Sequence, residues 1–392
     1  MSGPLSGVRV LEFGSFISGP YAGMLLADLG AEVIKIEMPG VGDPFRESHP
    51  GPLDLPSWFI AYNRGKKSVT CNVSSPAGRD IVSRLVATAD VLLENFRPGT
   101  LDRYGIGWST LSEINPRLVY CAVTGMGSTG PYSARPSYDA IGQALSGLWS
   151  QFTDLAHPEP LGPPTSDQLT GIFAAYGVLA ALVSRGTTGV GQRLETSQMS
   201  SGLAFMVSAI TNYLVDGEVG DRTTRARFSL SFAFVAGDGL PLAVHLSSPP
   251  KFWEGLAGAI SRADLIEDPR FRTRNDRMRH YDELRATLQD AFGRRPRAEW
   301  LALLQAADVP SAPIHDVPGT LDDPQTKHLG MLRTFGAGAR ARQLVGFPVE
   351  FAATPCEPGL PPPALGEHTN EVLASVGYAP DEIAAFTQQR AI

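Results

Sequence analysis

VRVLEFGSFISGPYAGMLLADLGAEVIKIE, residues 8–37, is the stretch from which the architecture is read. Val8 to Phe13 is a short β-like apolar run. A Gly/Ser turn follows, then Pro20 to Leu29, whose proline at the first helical position and apolar spacing predict a helix. Glu32 to Glu37 (EVIKIE) returns to a strand pattern. A strand, a helix and a second strand in that order form a crossover unit, which pairs its strands in parallel.

The alternation continues downstream. Ser68–Val73, Val91–Glu94 and Leu118–Val123 read as further strands, and Pro76–Thr88 as a helix, so a largely parallel α/β sheet is expected. Apolar residues recur at helical spacing over Ser137–Phe152 and Asp167–Arg185. GTTGVG (186–191) breaks the chain before a strand at Gln192–Thr196, and Met199–Val215 predicts a helix that leaves this domain. The polar stretch DGEVGDRTTRARFSLS (216–231) reads as a linker. A hairpin, Phe232–Val235 with Leu242–Leu246, and helices at Phe252–Ile260, Arg279–Phe292 and Arg297–Ala307 predict a small α+β domain. The expected division is a large domain over 1–215, a linker over 216–231, a small domain over 232–320, and a return segment over 321–392. Helices within Thr369–Gln388 close the chain.

A chain of 392 residues can bury a sizeable core, and 43% hydrophobic with 19% charged residues is an ordinary globular composition. The net charge of -7 and the lack of any long Lys/Arg block argue against nucleic acid as a partner. Three cysteines, Cys71, Cys121 and Cys356, lie far apart and give neither a disulfide framework nor a CxxC motif, which points to a reducing cytoplasm. The N-terminal residues lack a basic and then apolar secretory pattern, so no signal peptide is expected. The apolar runs, such as Gly171–Val183, are too short or too interrupted to predict a membrane span.

Gly14, Gly19 and Gly23 follow the first strand, but GxGxxG is absent. Pro20 and Tyr21 occupy the positions where a P-loop needs Lys and Ser/Thr. The seven histidines show no HxxxH or HExxH spacing, so no metal site is expected, and no G-x-S-x-G elbow supplies a serine nucleophile. A carboxylate remains. Asp167, in PPTSDQLTGIFAAYGVLAAL, opens an apolar helix, where exposed amides and the helix dipole are expected to favour its ionised, nucleophilic form. On position alone, a structural N-cap is the leading reading.

Ordered blocks along nearly the whole chain decide between these readings. LEFGSFISGPYAGMLLADLGAEVIKIEMPGVGDPFR, YNRGKKSV, ENFRPGTLDRYGIGW, PSYDAIGQALSGL, SDQLTGIFAAYGVLAALVSRGTTGVGQRLETSQMS, DPRFRTRNDRMRHYDEL and ADVPSAPIHDVPGTLDDPQ resemble the family III CoA-transferases, the CaiB/BaiF or formyl-CoA transferase-like family. The resemblance implies a Rossmann-like large domain built from both chain ends, a smaller α+β domain between them, and an interlocked homodimer. It implies acyl-CoA thioesters and carboxylic acids as substrates, with no tightly bound cofactor and no metal.

By the same resemblance Asp167 matches the catalytic aspartate, and Asn95, Phe96 and Arg103 match positions that contact CoA. A guanidinium suits phosphate oxygens and an aromatic ring suits adenine. Met38 stands where many relatives carry a basic residue, which removes one expected CoA contact. No glycine-rich loop is evident near Phe232–Gly239, which argues against oxalate and formyl-CoA as the substrate pair.

The implied chemistry is CoA transfer through an aspartyl anhydride and an aspartyl-CoA thioester. An α-methylacyl-CoA racemase-like enzyme is the alternative, and a non-catalytic CoA-binding protein is the next. The racemase needs a histidine where this chain has Tyr138, another position at the CoA site, and an unperturbed phenol is a poor proton acceptor.

Overall fold

The computed structural model describes residues 3–47 and 55–392. β1 (Arg9–Phe13), α1 (Ser18–Asp28) and β2 (Glu32–Glu37) follow in order, and the two strands pair in parallel with Glu12 opposite Lys35. Next come α2 (Ser57–Asn63), β3 (Lys66–Thr70), α3 (Pro76–Val86), β4 (Val91–Glu94), α4 (Thr100–Arg103) and α5 (Trp108–Ile114). β5 (Val119–Thr124), α6 (Asp139–Leu145), α7 (Thr165–Thr188) and β6 (Arg193–Ser197) complete the series. The strands form one parallel six-stranded sheet in the order β3-β2-β1-β4-β5-β6. This is the doubly wound order, in which the chain reverses its direction of travel between β1 and β4 and leaves a crevice at their carboxyl ends.

Alternation along the strands divides the core into two layers. Leu11, Phe13, Ile34, Ile36 and Leu92 face α3 and α5, together with Val372, Leu373 and Ile383 of the C-terminal helices Thr369–Ser375 and Pro380–Gln388. Val10, Val33, Val91, Val119 and Val123 face α1 and α7. α7 contributes Ala174, Ala175, Val178 and Ala181 at helical spacing. Its 24 residues are long and apolar enough to cross a membrane, but this stripe of small side chains packs on α1 and the sheet. Gly171 permits the close approach, since a Cβ there would lie 2.9 Å from the Ser18 carbonyl oxygen.

Several elements differ from the sequence reading, each for a local reason. β3 starts at Lys66 and stops at Thr70, because Ser75 caps α3 by accepting from the Gly78 amide at 3.0 Å, with Pro76 at the first helical position. The helix expected over Ser137–Phe152 divides at Gly147 (φ 84°) into α6 and a 3₁₀ turn, Leu148–Gln151. The helix expected over Met199–Val215 breaks at Met206 into α8 (Gln198–Phe205) and α9 (Val207–Asp216). The stretch read as a linker holds a short helix, α10 (Thr224–Ser229), because the Asp221 carboxylate accepts from the Thr223 and Thr224 amides and opens a helical turn. A hairpin at Leu332–Phe335 and Arg342–Val345 was not foreseen.

Two compact units result. Of the described residues, one comprises those up to 148, 160–207 and 330–392, and the other 149–159 and 208–329. The second has its own antiparallel sheet, β7 (Ser231–Val235), β8 (Pro241–His245) and β9 (Ser311–Pro313). Its core is aromatic: Phe232 stacks on Tyr281 at 4.8 Å and Phe234 on Phe292 at 4.5 Å.

Candidate active site

The loop after β1 and the residue after β4 meet at the switch point. The Oδ1 atom of Asn95 accepts from the Ser15 amide at 3.0 Å, while its Nδ2 atom donates to the Ser15 carbonyl at 2.9 Å. Gly19 lies against this side chain, and a Cβ there would stand 3.0 Å from Asn95 Cγ. Phe16 is held at φ 62°, a conformation that costs a non-glycine residue energy and must be imposed by its surroundings.

A buried ionic cluster imposes it. Lys35 lies 3.0 Å from Glu12 and 2.9 Å from Asp43, and donates to the Gly14 carbonyl at 2.6 Å. Lys66 lies 2.7 Å from the other Glu12 oxygen and donates to the Pro20 carbonyl and to Asn63. Asp43 accepts from the Phe16 amide at 3.3 Å and the Phe45 amide at 2.9 Å. Two cations and two anions balance where each ion alone would carry several kcal/mol of desolvation. Burial and the neighbouring Lys35 push Lys66 down to about 8, although Glu12 opposes them. Burial also opposes the charge of Lys35, but Glu12, Asp43 and Glu37 outweigh it and hold that ammonium above its ordinary value. The glycine at position 23 makes room, because a Cβ there would collide with Glu12.

Asp167 is the third residue of α7, which starts directly after Pro164, and it is 7% exposed. Its Oδ1 atom accepts from Gln198 Nε2 at 2.7 Å. Its backbone amide donates to Asp139 Oδ1 at 3.1 Å, and the other Asp139 oxygen accepts from Gln143 at 2.6 Å. The sequence expectation that the helix end would favour the ionised form is corrected here. Burial dominates and, with the nearby Asp139 carboxylate, pushes Asp167 up to about 6, against the Gln198 and Ser18 hydrogen bonds that lower it. An aspartate with this value is still mostly ionised at neutral pH.

The residues singled out from the sequence fall into two groups. Asn95 joins the Asp167 cluster through Ser18, to which its Nδ2 donates at 3.4 Å, but its amide is committed to the β1–α1 loop. Tyr138 is 64% exposed, sets its ring edge-on to Phe16 at 5.7 Å, and lies between two members of the cluster, Ser137 and Asp139. Phe96 packs half-buried against the sheet, and its amide donates to Glu94 at 2.8 Å. Arg103 stands apart at the end of α4, exposed, with Thr100 as its hydrogen-bond acceptor. Met38 is exposed after β2.

Gln198, Ser18 and the Lys35–Glu12 pair were not singled out. Strand alternation carried a signal for the last, since Glu12 and Lys35 share the apolar phase of Val10 and Val33 and are register partners. Nothing in one sequence pairs Gln198 with Asp167. Among the described residues, which exclude His49, no three His, Cys, Asp or Glu side chains gather as a metal site.

A doubly wound sheet with a buried carboxylate beside its switch point is an α/β arrangement that places ligands at the carboxyl ends of its strands. The chain belongs to CoA-transferase family III, whose family model matches residues 5–369. It is similar to the succinyl-CoA:glutarate CoA-transferase of Mus musculus, with 34% identity over 379 residues, covering 95% of this chain and 86% of that protein. It also resembles the acetyl-CoA:oxalate CoA-transferase of Acetobacter aceti at 36% identity over 84% of this chain and 85% of that one. Among solved structures, a CaiB/BaiF family protein from Brucella suis matches with a TM-score of 0.86 at 31% identity, covering 96% of this chain and 100% of that chain.

Proposed function

We propose that this family III CoA-transferase exchanges CoA between carboxylic acids through covalent intermediates on Asp167. The observation that carries the reading is the Asp167 carboxylate itself, buried beside the switch point with one oxygen held by Gln198 and its pKa raised to about 6. The other oxygen attacks the thioester carbonyl and the CoA thiolate leaves, giving a mixed anhydride. The thiolate then attacks the aspartyl carbonyl, releases the donor acid and leaves an aspartyl-CoA thioester. The acceptor carboxylate attacks that thioester, and returning CoA takes the new acyl group. Each step exchanges one activated acyl bond for another.

The exposed guanidinium of Arg103 and the ring of Phe96 are assigned to CoA, with Tyr138 on the exposed side of the Asp167 cluster. Asn95 instead holds the loop that shapes the site. The functional form is an interlocked homodimer. Apolar side chains left uncovered on a single chain support assembly, among them Tyr176 and Val183 on α7 at 69% and 74% exposure and Leu214 and Val215 on α9 at 75% and 74%. Three free thiols support a cytoplasmic location.

The test is an exchange panel. Acetyl-, succinyl- and glutaryl-CoA are each incubated with mixed mono- and dicarboxylic acids, and new CoA esters are detected by mass. Transfer to at least one acid without ATP is expected, and its loss in Asp167→Ala. Undiminished exchange by Asp167→Ala would show that the nucleophile lies elsewhere.

A further inference from the structure

Resting on Asp167 as the nucleophile, we propose that the side-chain amide of Gln198 is the oxyanion donor for those steps in which the Asp167 carboxyl carbon is itself attacked. Gln198 is the first residue of α8 and is 5% exposed. Its Nε2 atom stands 2.7 Å from Asp167 Oδ1, and its Oε1 atom accepts from the Ser137 hydroxyl. With the amide reversed, two oxygens would face each other at the same short distance, so the carboxylate fixes the N–H donor towards itself.

The backbone is fixed as well. Ser197 caps α8 in a reciprocal pair with Ser200, and a Cβ at Gly142 would come within 2.7 Å of Gln198 Cβ, so α6 lies flush against this residue. Such a donor needs no reorganisation when charge develops on the atom it already holds.

The donor serves some steps and not others. When the second Asp167 oxygen attacks the thioester, negative charge develops on the substrate carbonyl and Gln198 takes no part. When the CoA thiolate adds to Asp167 Cγ, the carbonyl electron pair moves onto Oδ1, 2.7 Å from the Gln198 donor. Collapse breaks the bond from Cγ to the bridging oxygen, the donor carboxylate leaves, and Oδ1 becomes the thioester carbonyl. The acceptor carboxylate adds to the same carbon, charge returns to Oδ1, and the thiolate leaves. No proton is taken up or released in either addition.

The test uses the full chain with whichever of acetyl-, succinyl- and glutaryl-CoA the wild-type protein turns over fastest. Gln198→Ala is expected to lower kcat by about 100-fold or more, with KM for the acyl-CoA within about twofold. Free thiol should appear in proportion to enzyme before exchange product, because the anhydride still forms and only its onward reaction is slowed. The acidic limb of the pH profile should move upward, because the Gln198 hydrogen bond holds the Asp167 pKa down.

Ser137→Ala keeps the amide but removes its anchor. It should show the same thiol release with a loss of about 10-fold, and it carries the test should Gln198→Ala not fold. A folded Gln198→Ala protein with kcat within about threefold of wild type, or with kcat lost and no early thiol, overturns the assignment, as does an unaltered Ser137→Ala. If the wild-type protein forms no adduct on Asp167, the nucleophile reading fails first. If the adduct forms and the variants behave as wild type, only the role of Gln198 fails.

Discussion

Replacing Asp167 with asparagine should abolish transfer and make the protein more stable, by an amount that depends on pH in a defined direction. The carboxyl ionises near 3.8 in an unfolded chain and at about 6 in the folded one, chiefly because it is buried. The difference of about two units corresponds to about 3 kcal/mol of folding free energy spent on keeping a buried carboxylate charged. Asparagine carries no charge, still accepts from Gln198 through its carbonyl, and can donate its amide to Ser18.

The sign follows from proton counting. Below about pH 4 both states of the wild-type chain are protonated at Asp167 and the penalty is absent. Between about pH 4 and pH 6 the folded state keeps a proton that the unfolded state has lost, so wild-type stability falls as pH rises. Above about pH 6 the full penalty applies. Other titrating groups are common to both proteins and cancel in the difference. Urea unfolding of wild type and Asp167→Asn should show a gap near zero at about pH 4, opening to about 2–3 kcal/mol at about pH 7.5 in favour of the variant. A variant no more stable than wild type at neutral pH, or a gap that does not close in acid, would refute the argument that burial sets this ionisation.

Two further outcomes follow, one from the Asp167 cluster and one from the buried ionic cluster around Lys35. Asp139→Asn removes the carboxylate that raises Asp167, so the acidic limb of the rate profile should move to lower pH, provided the asparagine carbonyl still accepts from the Asp167 amide; an unmoved limb would deny the coupling. Lys35→Met leaves Glu12 and Asp43 without their shared cation and should destabilise the protein by about 3–5 kcal/mol, read by urea unfolding, whereas a loss under about 1 kcal/mol would show the cluster is not a closed ionic unit.

Much of the parallel sheet was legible because short stretches rich in Val, Ile and Leu alternate with segments of helical spacing, as in residues 8–37. The boundaries that moved depend on single caps and turns, such as Ser75 before α3 and Gly147 after α6, whose effect is geometric and leaves little periodic trace. Asp167 was singled out by the family resemblance, since its place at a helix start also suits a plain cap, and its ionisation was not legible at all, because the burial that raises it comes from how α1, α6 and α8 pack around the N-terminus of α7. Asn95 illustrates the opposite limit. Its residue type suits ligand contact, and only the fold shows both ends of its amide spent on Ser15.

Covalent catalysis at Asp167 can be caught by trapping the intermediate. Wild-type protein mixed with a productive acyl-CoA, quenched with hydroxylamine and digested, should yield the peptide spanning Asp167 as the aspartyl hydroxamate. The product should depend on the acyl-CoA and be missing in Asp167→Asn. Rapid CoA exchange with residue 167 unmodified, or hydroxamate formed at another carboxylate, would contradict the account.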